Sequence, residues 1–107
     1  MWCVITSDED YRPLLAAMKA KGKRPLDYFR LFYADTALFG AFDATVCGLN
    51  FYGVPHVLFA SDAPFDPEQG PMYIRDTIAI VEKLPISHEE RERIFWRNAA
   101  ALLKVTG

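Results

Sequence analysis

The sequence predicts an α/β fold with parallel strands, and three observations support this prediction. Two short runs, residues 30–34 and 56–61, have the continuous apolar character of strands that are buried on both faces. Between them, residues 37–51 show helical spacing and are long enough for the right-handed crossover that joins parallel strands. Further helical patterns precede the first strand and follow the second. Because two parallel strands do not close a sheet, this fold is expected to be incomplete.

The first element is a predicted helix over residues 7–21, with Ser7 or Asp8 as its cap and Gly22 at its end. Pro13 is equally compatible with a shorter helix that Asp10 caps. The apolar stripe of this helix consists of Leu14, Leu15 and Met18.

The central region alternates strand and helix. The strand at residues 30–34 is followed by the polar pair Asp35–Thr36, and the helix over residues 37–51 ends at the breaker formed by Gly53 and Pro55. The second strand then runs to Ser61 and Asp62. Four apolar positions at helical spacing make this helix amphipathic, namely Leu38, Phe42, Val46 and Leu49.

Two helices complete the predicted order. A loop rich in proline and glycine covers residues 63–71, and a helix over residues 72–84 follows it and stops at Pro85. Ser87 opens the last helix with a capping box, because Glu90 stands three positions later. Its predicted buried face consists of Ile94, Phe95, Ala99, Leu102 and Leu103, and Asn98 is expected to be structural.

Composition excludes several classes of protein. Of the 107 residues, 51% are apolar and 24% are charged, which is typical of a globular chain and not of a disordered one. The net charge of −2 does not indicate a positively charged surface that binds nucleic acid. The basic residues at 19–24 are interpreted as a solvated helix end. No apolar run is long enough to span a bilayer, so no membrane association is predicted.

The two cysteines, Cys3 and Cys47, lack the spacing of a zinc knuckle or of a disulfide framework. We expect Cys47 to be an inert, buried thiol in the middle of its helix. This pattern of cysteine use favours a reducing, cytoplasmic location.

Ligands of parallel α/β folds collect beyond the carboxyl ends of the strands, where this chain places Asp35, Thr36 and Asp62. A carboxylate at that position can bind a hard or borderline metal ion and exchange a proton with bound water. Each candidate has an alternative role. Asp62 can satisfy loop N–H groups in an Asx-turn, and Asp35–Thr36 can cap the following helix. Phe65 faces either a substrate or the loop, while a nucleophilic role for Ser61 lacks the required His and Asp partners.

Several runs of the sequence resemble the C-terminal end of the amidohydrolase-2 family, whose members include aminocarboxymuconate-semialdehyde decarboxylase and resorcylate-type decarboxylases. The resemblance extends from about Pro25 onward, and its most specific part covers residues 58–65, in which Asp62 matches the aspartate that the family's last barrel strand presents to the metal. The other runs that carry it are residues 32–37, residues 87–94, Asn98–Ala99 and Leu102–Leu103.

This resemblance implies that residues 1–107 form one incomplete domain, the last two βα units of a (β/α)8 TIM-type barrel with the terminal helices. It also implies that Asp62 acts as a metal-site and proton-transfer residue in a zinc-dependent hydrolase or decarboxylase. The substrate would be a small carboxylic acid, ester or amide. The family's His-x-His pair is missing, and neither His56 nor His88 stands at the catalytic face. The chain alone is therefore predicted to be inactive.

Two other functions compete with this prediction. The chain could be a structural or interaction module that forms a homo-oligomer or complements another barrel fragment, since unpaired strand edges and a surplus of aromatic residues need cover. An independent flavodoxin-like half-domain is a weaker alternative, because no glycine-rich phosphate loop is present.

Overall fold

The computed structural model describes residues 11–105, which fall into two compact units with a boundary between Leu31 and Phe32. In the first unit, helix α1 spans Arg12–Ala20, and helix α2 spans Pro25–Phe29. Helix α1 starts close to the shorter of the two predicted alternatives, but Tyr11 occupies the capping position, without a side-chain hydrogen bond. The proposed caps Ser7, Asp8 and Asp10 lie outside the described residues.

Helix α2 was not predicted, and its residues lie next to the expected first strand. Pro25 occupies the first turn, where its missing N–H costs nothing, and Asp27 accepts the N–H of Arg24 at 2.7 Å. The Arg24 guanidinium also donates to Asp27, at 2.9 Å. These side-chain and backbone hydrogen bonds lower the pKa of the Asp27 carboxyl to about 2. A proline followed by an acidic residue two positions later was the signal for this helix.

The second unit contains a two-stranded sheet surrounded by helical segments. In chain order these are β1 at Ala34–Asp35, α3 at Phe42–Tyr52, a 3₁₀ turn at Val54–His56, β2 at Val57–Leu58, α4 at Pro71–Lys83, α5 at His88–Glu92, a π-helical stretch at Arg93–Arg97 and α6 at Asn98–Leu103. The strands pair in parallel, with Ala34 opposite Val57 and Asp35 opposite Leu58. The predicted α/β order with a parallel pair is confirmed.

Both strands are shorter than the predicted runs: β1 shares only Ala34 with the predicted run 30–34, and the backbone ladder ends at Thr36. The prediction that the first run is buried on both faces was wrong, because Leu31 is 55% exposed and Phe32 65%. The Thr36 N–H donates to the carbonyl of Leu58 at 3.1 Å, but beyond that point the Thr36 hydroxyl takes over. It donates to the carbonyl of Ala60 at 2.9 Å and accepts the N–H of Ala60 at 3.1 Å. A side chain thus replaces the strand backbone and extends the link between the two chain segments.

Helix α3 begins later than predicted, at Phe42 instead of residue 37. The intervening residues Phe39 and Gly40 have positive φ angles of 54° and 80°, which a right-handed helix cannot contain. Leu49 is buried and Val46 packs on the core, as the periodicity predicted, whereas Leu38 precedes the helix. Cys47 is exposed, so the prediction of a buried thiol was wrong.

The edge of β2 that faces away from β1 is bound by the C-terminal helical segment, which consists of α5, the π-helical stretch and α6. The Phe59 N–H donates to the carbonyl of Ile94 at 2.9 Å. The side-chain amide of Asn98, which is 7% exposed, donates to the carbonyls of Val54 at 2.6 Å and Val57 at 2.9 Å. Helical residues therefore form hydrogen bonds with backbone N–H and C=O groups that would bond to a neighbouring strand in a larger sheet.

The capping box that opens the C-terminal segment is confirmed. The Glu90 N–H donates to Ser87 Oγ at 3.1 Å, and Glu90 Oε2 accepts the Ser87 N–H at 2.8 Å. The single predicted helix is instead interrupted by the π-helical stretch Arg93–Arg97, whose wider turn shifts the residues that follow around the helix axis. Leu102 and Leu103 are consequently exposed, not buried as predicted.

The core of the second unit lies between α3, β2, α4 and the C-terminal segment. Its five buried apolar residues are Leu49, Val57, Val81, Leu84 and Ile94. Arg91 closes the C-terminal end of α4 by donating to the carbonyls of Val81 at 3.2 Å and Leu84 at 3.4 Å. This core holds β2 in place, and β2 leads directly into the loop that contains the candidate carboxylate.

Candidate functional site

Asp62 lies in the loop that leaves the carboxyl end of β2, where the sequence placed the catalytic carboxylate. It is exposed, and its backbone has a φ of 64°, a left-handed conformation that few residues other than glycine and short polar ones adopt. Among residues 11–105, no side chain or backbone group forms a hydrogen bond or salt bridge with its carboxylate. The alternative of an Asx-turn at Asp62 is therefore wrong for this structure.

The residues around Asp62 form a tight turn that presents two side chains to solvent. The Phe65 N–H donates to the carbonyl of Asp62 at 3.1 Å, and the Ala63–Pro64 peptide bond within the turn is cis. Phe65 is 78% exposed, so its ring does not pack inside the loop. Ser61, which precedes the turn, is buried, and its hydroxyl accepts the Ala63 N–H at 3.3 Å. A free carboxylate and an exposed aromatic ring thus stand at the two ends of one turn.

The loop N–H groups are satisfied by Asp66, a residue that the sequence reasoning missed. Asp66 is 6% exposed and accepts the N–H of Glu68 at 2.7 Å and the N–H of Tyr73 at 3.2 Å. Burial opposes its ionisation, but backbone donors that include Gly70 and Met72 outweigh burial and lower the pKa of this carboxyl. Its position just before the start of α4, at a loop rich in proline and glycine, was the available signal.

The end of β1 places Asp35 and Thr36 differently. Asp35 is exposed and accepts the Ala37 N–H at 2.9 Å, which makes a local Asx-turn. Because α3 starts only at Phe42, with Ala41 at the cap position and no side-chain cap, the proposed capping role of this pair was wrong. Thr36 is 3% exposed and both hydrogen bonds of its hydroxyl go to Ala60. Substrate contact by either residue stays a prediction.

The described residues do not form a divalent-metal site by themselves. Across residues 11–105, no group of three or more His, Cys, Asp and Glu side chains is arranged to hold a metal ion. His56 precedes β2, stacks on Tyr33 with 4.6 Å between ring centroids, and places Nδ1 3.2 Å from the carbonyl of Phe32. His88 is exposed on α5 with Glu92 at 3.7 Å. Neither histidine belongs to the loop that contains Asp62.

Two pockets of the described chain lie away from Asp62. A cavity of about 380 Å³ in the first unit is lined by Leu15, Met18, Lys19, Gly22, Lys23, Arg24 and Pro25. A cavity of about 260 Å³ in the second unit is lined by Phe39, Gly40, Asp76, Ala79, Ile80 and Lys83. Asp62 lines neither of these two cavities.

Comparison with known proteins identifies one family. The model of the family described as amidohydrolase matches residues 3–105. Members of this family generally use a divalent metal ion. No curated protein matches the chain. None of the helices within residues 11–105 is long and apolar enough to cross a membrane.

Proposed function

Because the chain belongs to the amidohydrolase family, we propose that it forms the part of a metal-dependent hydrolase or non-oxidative decarboxylase that contributes the carboxylate Asp62. The observation that carries this proposal is the state of Asp62, which is exposed, free of partners within the described chain, and located beyond the carboxyl end of a parallel strand. The Asp66 carboxylate in the same loop is, by contrast, buried and accepts backbone N–H groups.

In this proposal Asp62 takes a proton from the substrate and later returns it, and the substrate is a small carboxylic acid, ester or amide. An unpaired carboxylate on an accessible turn can approach the proton that it transfers, which is the first requirement for a general acid or base. Phe65 borders the same site and faces the substrate. Asp35 and Thr36 mark the neighbouring strand end, where Asp35 is accessible and Thr36 supports the backbone.

The metal, expected to be zinc, needs ligands from polypeptide other than residues 11–105, since these residues do not assemble a cluster for it. This requirement agrees with the proposal that the two parallel strands are the last two βα units of a TIM-type barrel, similar to that of aminocarboxymuconate-semialdehyde decarboxylase. The 107 residues alone are then inactive.

The test uses the intact polypeptide that contains this sequence, with metal analysis and an assay on a panel of small esters, amides and carboxylic acids. We expect a bound transition metal, and a loss of about 10²- to 10⁴-fold in kcat for Asp62→Asn, the range that general acid–base catalysis contributes. Asp43→Asn, which removes an exposed carboxylate in the first turn of α3, is the control and should keep full activity. A metal-free protein, or equal activity of the Asp62→Asn variant, would refute the proposal.

A second function is favoured by a separate observation, the exposure of large apolar side chains in the second unit. Phe32 is 65% exposed, Phe39 60% and Leu103 70%. Surfaces of this kind mark contacts with other protein. In this alternative the chain is a non-catalytic module that binds a second copy of itself.

A further inference from the structure

Asp62 holds an unfavourable backbone conformation without help from its own side chain. Its φ of 64° costs free energy for any residue with a Cβ atom, and its carboxylate has no partner among the described residues. The neighbours Ala63, Pro64 and Phe65 are exposed as well. Some other part of the loop must therefore fix this turn.

The first buried residue after the turn is Asp66. Its two carboxylate oxygens accept different backbone N–H groups, that of Glu68 at 2.7 Å and that of Tyr73 at 3.2 Å. Tyr73 belongs to the first turn of α4, where the helix leaves N–H groups without internal partners. Asp66 thus ties the end of the turn to the rigid start of a helix.

Gly70 provides a second connection between Asp66 and the turn that contains Asp62. The N–H of Gly70 is near enough to the Asp66 carboxylate to help lower the pKa of that carboxyl. A Cβ atom built on Gly70 would lie 3.7 Å from Cβ of Ala63 and 3.8 Å from Cα of Pro64, so the Gly70 backbone packs directly against the turn. Gly70 lies in the chain between Glu68 and Tyr73, whose N–H groups Asp66 binds, so Asp66 supports the peptide units that immediately follow Asp62 through the backbone of Gly70.

From these contacts we infer that Asp66 is a positioning residue for Asp62. Its ionised carboxylate holds the backbone of residues 68–73 in place through hydrogen bonds. The turn that contains Asp62 packs against this backbone. The inference rests on the proposed function only in giving the positioned carboxylate a catalytic use. The structural coupling itself can be measured without any turnover.

The first test is NMR spectroscopy of the 107-residue chain with the variant Asp66→Asn. An amide group cannot accept hydrogen bonds at both of its polar atoms, so the Tyr73 or the Glu68 N–H loses its partner. We expect that N–H and the Phe65 N–H to exchange with solvent about tenfold faster or more, the effect of losing one ordinary hydrogen bond. The coupling constant that reports φ of Asp62 should move away from its left-handed value.

Glu68→Gln is the matched control, because it removes the same charge from the same loop. The Glu68 carboxylate pairs with the Arg75 guanidinium at 3.3 Å and 3.4 Å and accepts no N–H of the loop backbone. The control should leave Asp62 and Phe65 unchanged. Unchanged Asp62 coupling and Phe65 exchange in Asp66→Asn, with the Val81 N–H still protected, would overturn the inference.

A charge-preserving pair covers the case in which Asp66→Asn unfolds the core. Asp66→Glu and Glu68→Asp each shift a carboxylate by one methylene group, and we expect the first to alter the Asp62 coupling and the second to leave it alone. Equal responses of Asp62 to the two variants would also overturn the inference.

Kinetics of the intact protein then separate the two proposals. Asp66→Asn should lower kcat at least tenfold with little change in KM, and Glu68→Gln should change neither. If Asp66→Asn moves Asp62 and kcat stays constant, the positioning role is supported and the catalytic role of Asp62 is refuted.

Discussion

Three aspartates at or beyond the ends of the two strands have different environments, although the sequence shows all three beside loops or turns. Asp35 accepts one local N–H group, and Asp66 is buried and accepts several. Asp62 has no partner within the described chain. Since a carboxylate that already accepts strong hydrogen bonds is a poor base, the free one is the candidate for proton transfer.

The structural role of Thr36 can be measured through its hydrogen bonds with Ala60. Thr36→Val keeps the shape of the side chain and removes the hydroxyl, which leaves both polar groups of Ala60 without that partner. We expect a loss of about 1–3 kcal/mol in the free energy of unfolding, measured by urea denaturation. Thr36→Ser keeps the hydroxyl and should keep the Ala60 N–H protected from exchange. Rapid exchange of the Ala60 N–H in both variants, or in neither, would contradict this role.

At the scale of elements, the C-terminal helical segment covers one edge of the sheet by forming hydrogen bonds with β2 and its flanking residues. The wider turn of the π-helical stretch Arg93–Arg97 and the amide of Asn98 together bring two kinds of partner to β2, a main-chain carbonyl and a side-chain donor. An uncovered strand edge invites pairing with another chain. In the proposed barrel, further strands would have to pair with β1 or displace this segment from β2.

Asn98→Ala tests this cover. The carbonyls of Val54 and Val57 lose a donor, so we expect the free energy of unfolding to fall by about 2–3 kcal/mol in urea denaturation. Asn50→Ala in α3 is the control, because Asn50 is exposed and alanine favours the helix by roughly 0.5 kcal/mol. If the free energy of unfolding of Asn98→Ala is no lower than that of Asn50→Ala, β2 does not depend on the amide.

At the scale of the whole molecule, the second unit exposes more large apolar side chains than it buries in its core. Five apolar residues are buried, whereas Phe32, Phe39, Phe65, Trp96 and Leu103 are each at least half exposed. Domains of this size have little stability to spare, and contact with more protein would bury much of this surface.

We therefore expect the 107-residue chain to self-associate when it is purified alone. Sedimentation experiments should show species above the monomer mass of 12.2 kDa, and the Tm should rise with protein concentration, since association stabilises the folded state by mass action. A constant Tm and a monomer at every concentration would argue against the interaction module.

Sequence reasoning succeeded where the signal is local. The Ser87–Glu90 capping box and helix α4, placed within one residue of its bounds, depend on groups a few positions apart. It failed at the start of α3, where the positive φ of Phe39 has no residue-type signature, and it missed helix α2. The amidohydrolase resemblance also came from local runs of residues, and the family match supports it.

The sequence by itself determined the alternation of helices with a parallel strand pair, the family, and the position of Asp62 beyond a strand end. Tertiary structure alone decided which polar groups are already bonded. Thr36 finds its partner 24 residues away and Asn98 finds Val54 44 residues away, so no local pattern reveals them. The same long-range packing sets the role of Asp66, because its carboxylate meets the N–H groups of α4 only once the loop has folded back. Hydrogen-bond partners depend on distance in space, and that distance is fixed when the elements pack.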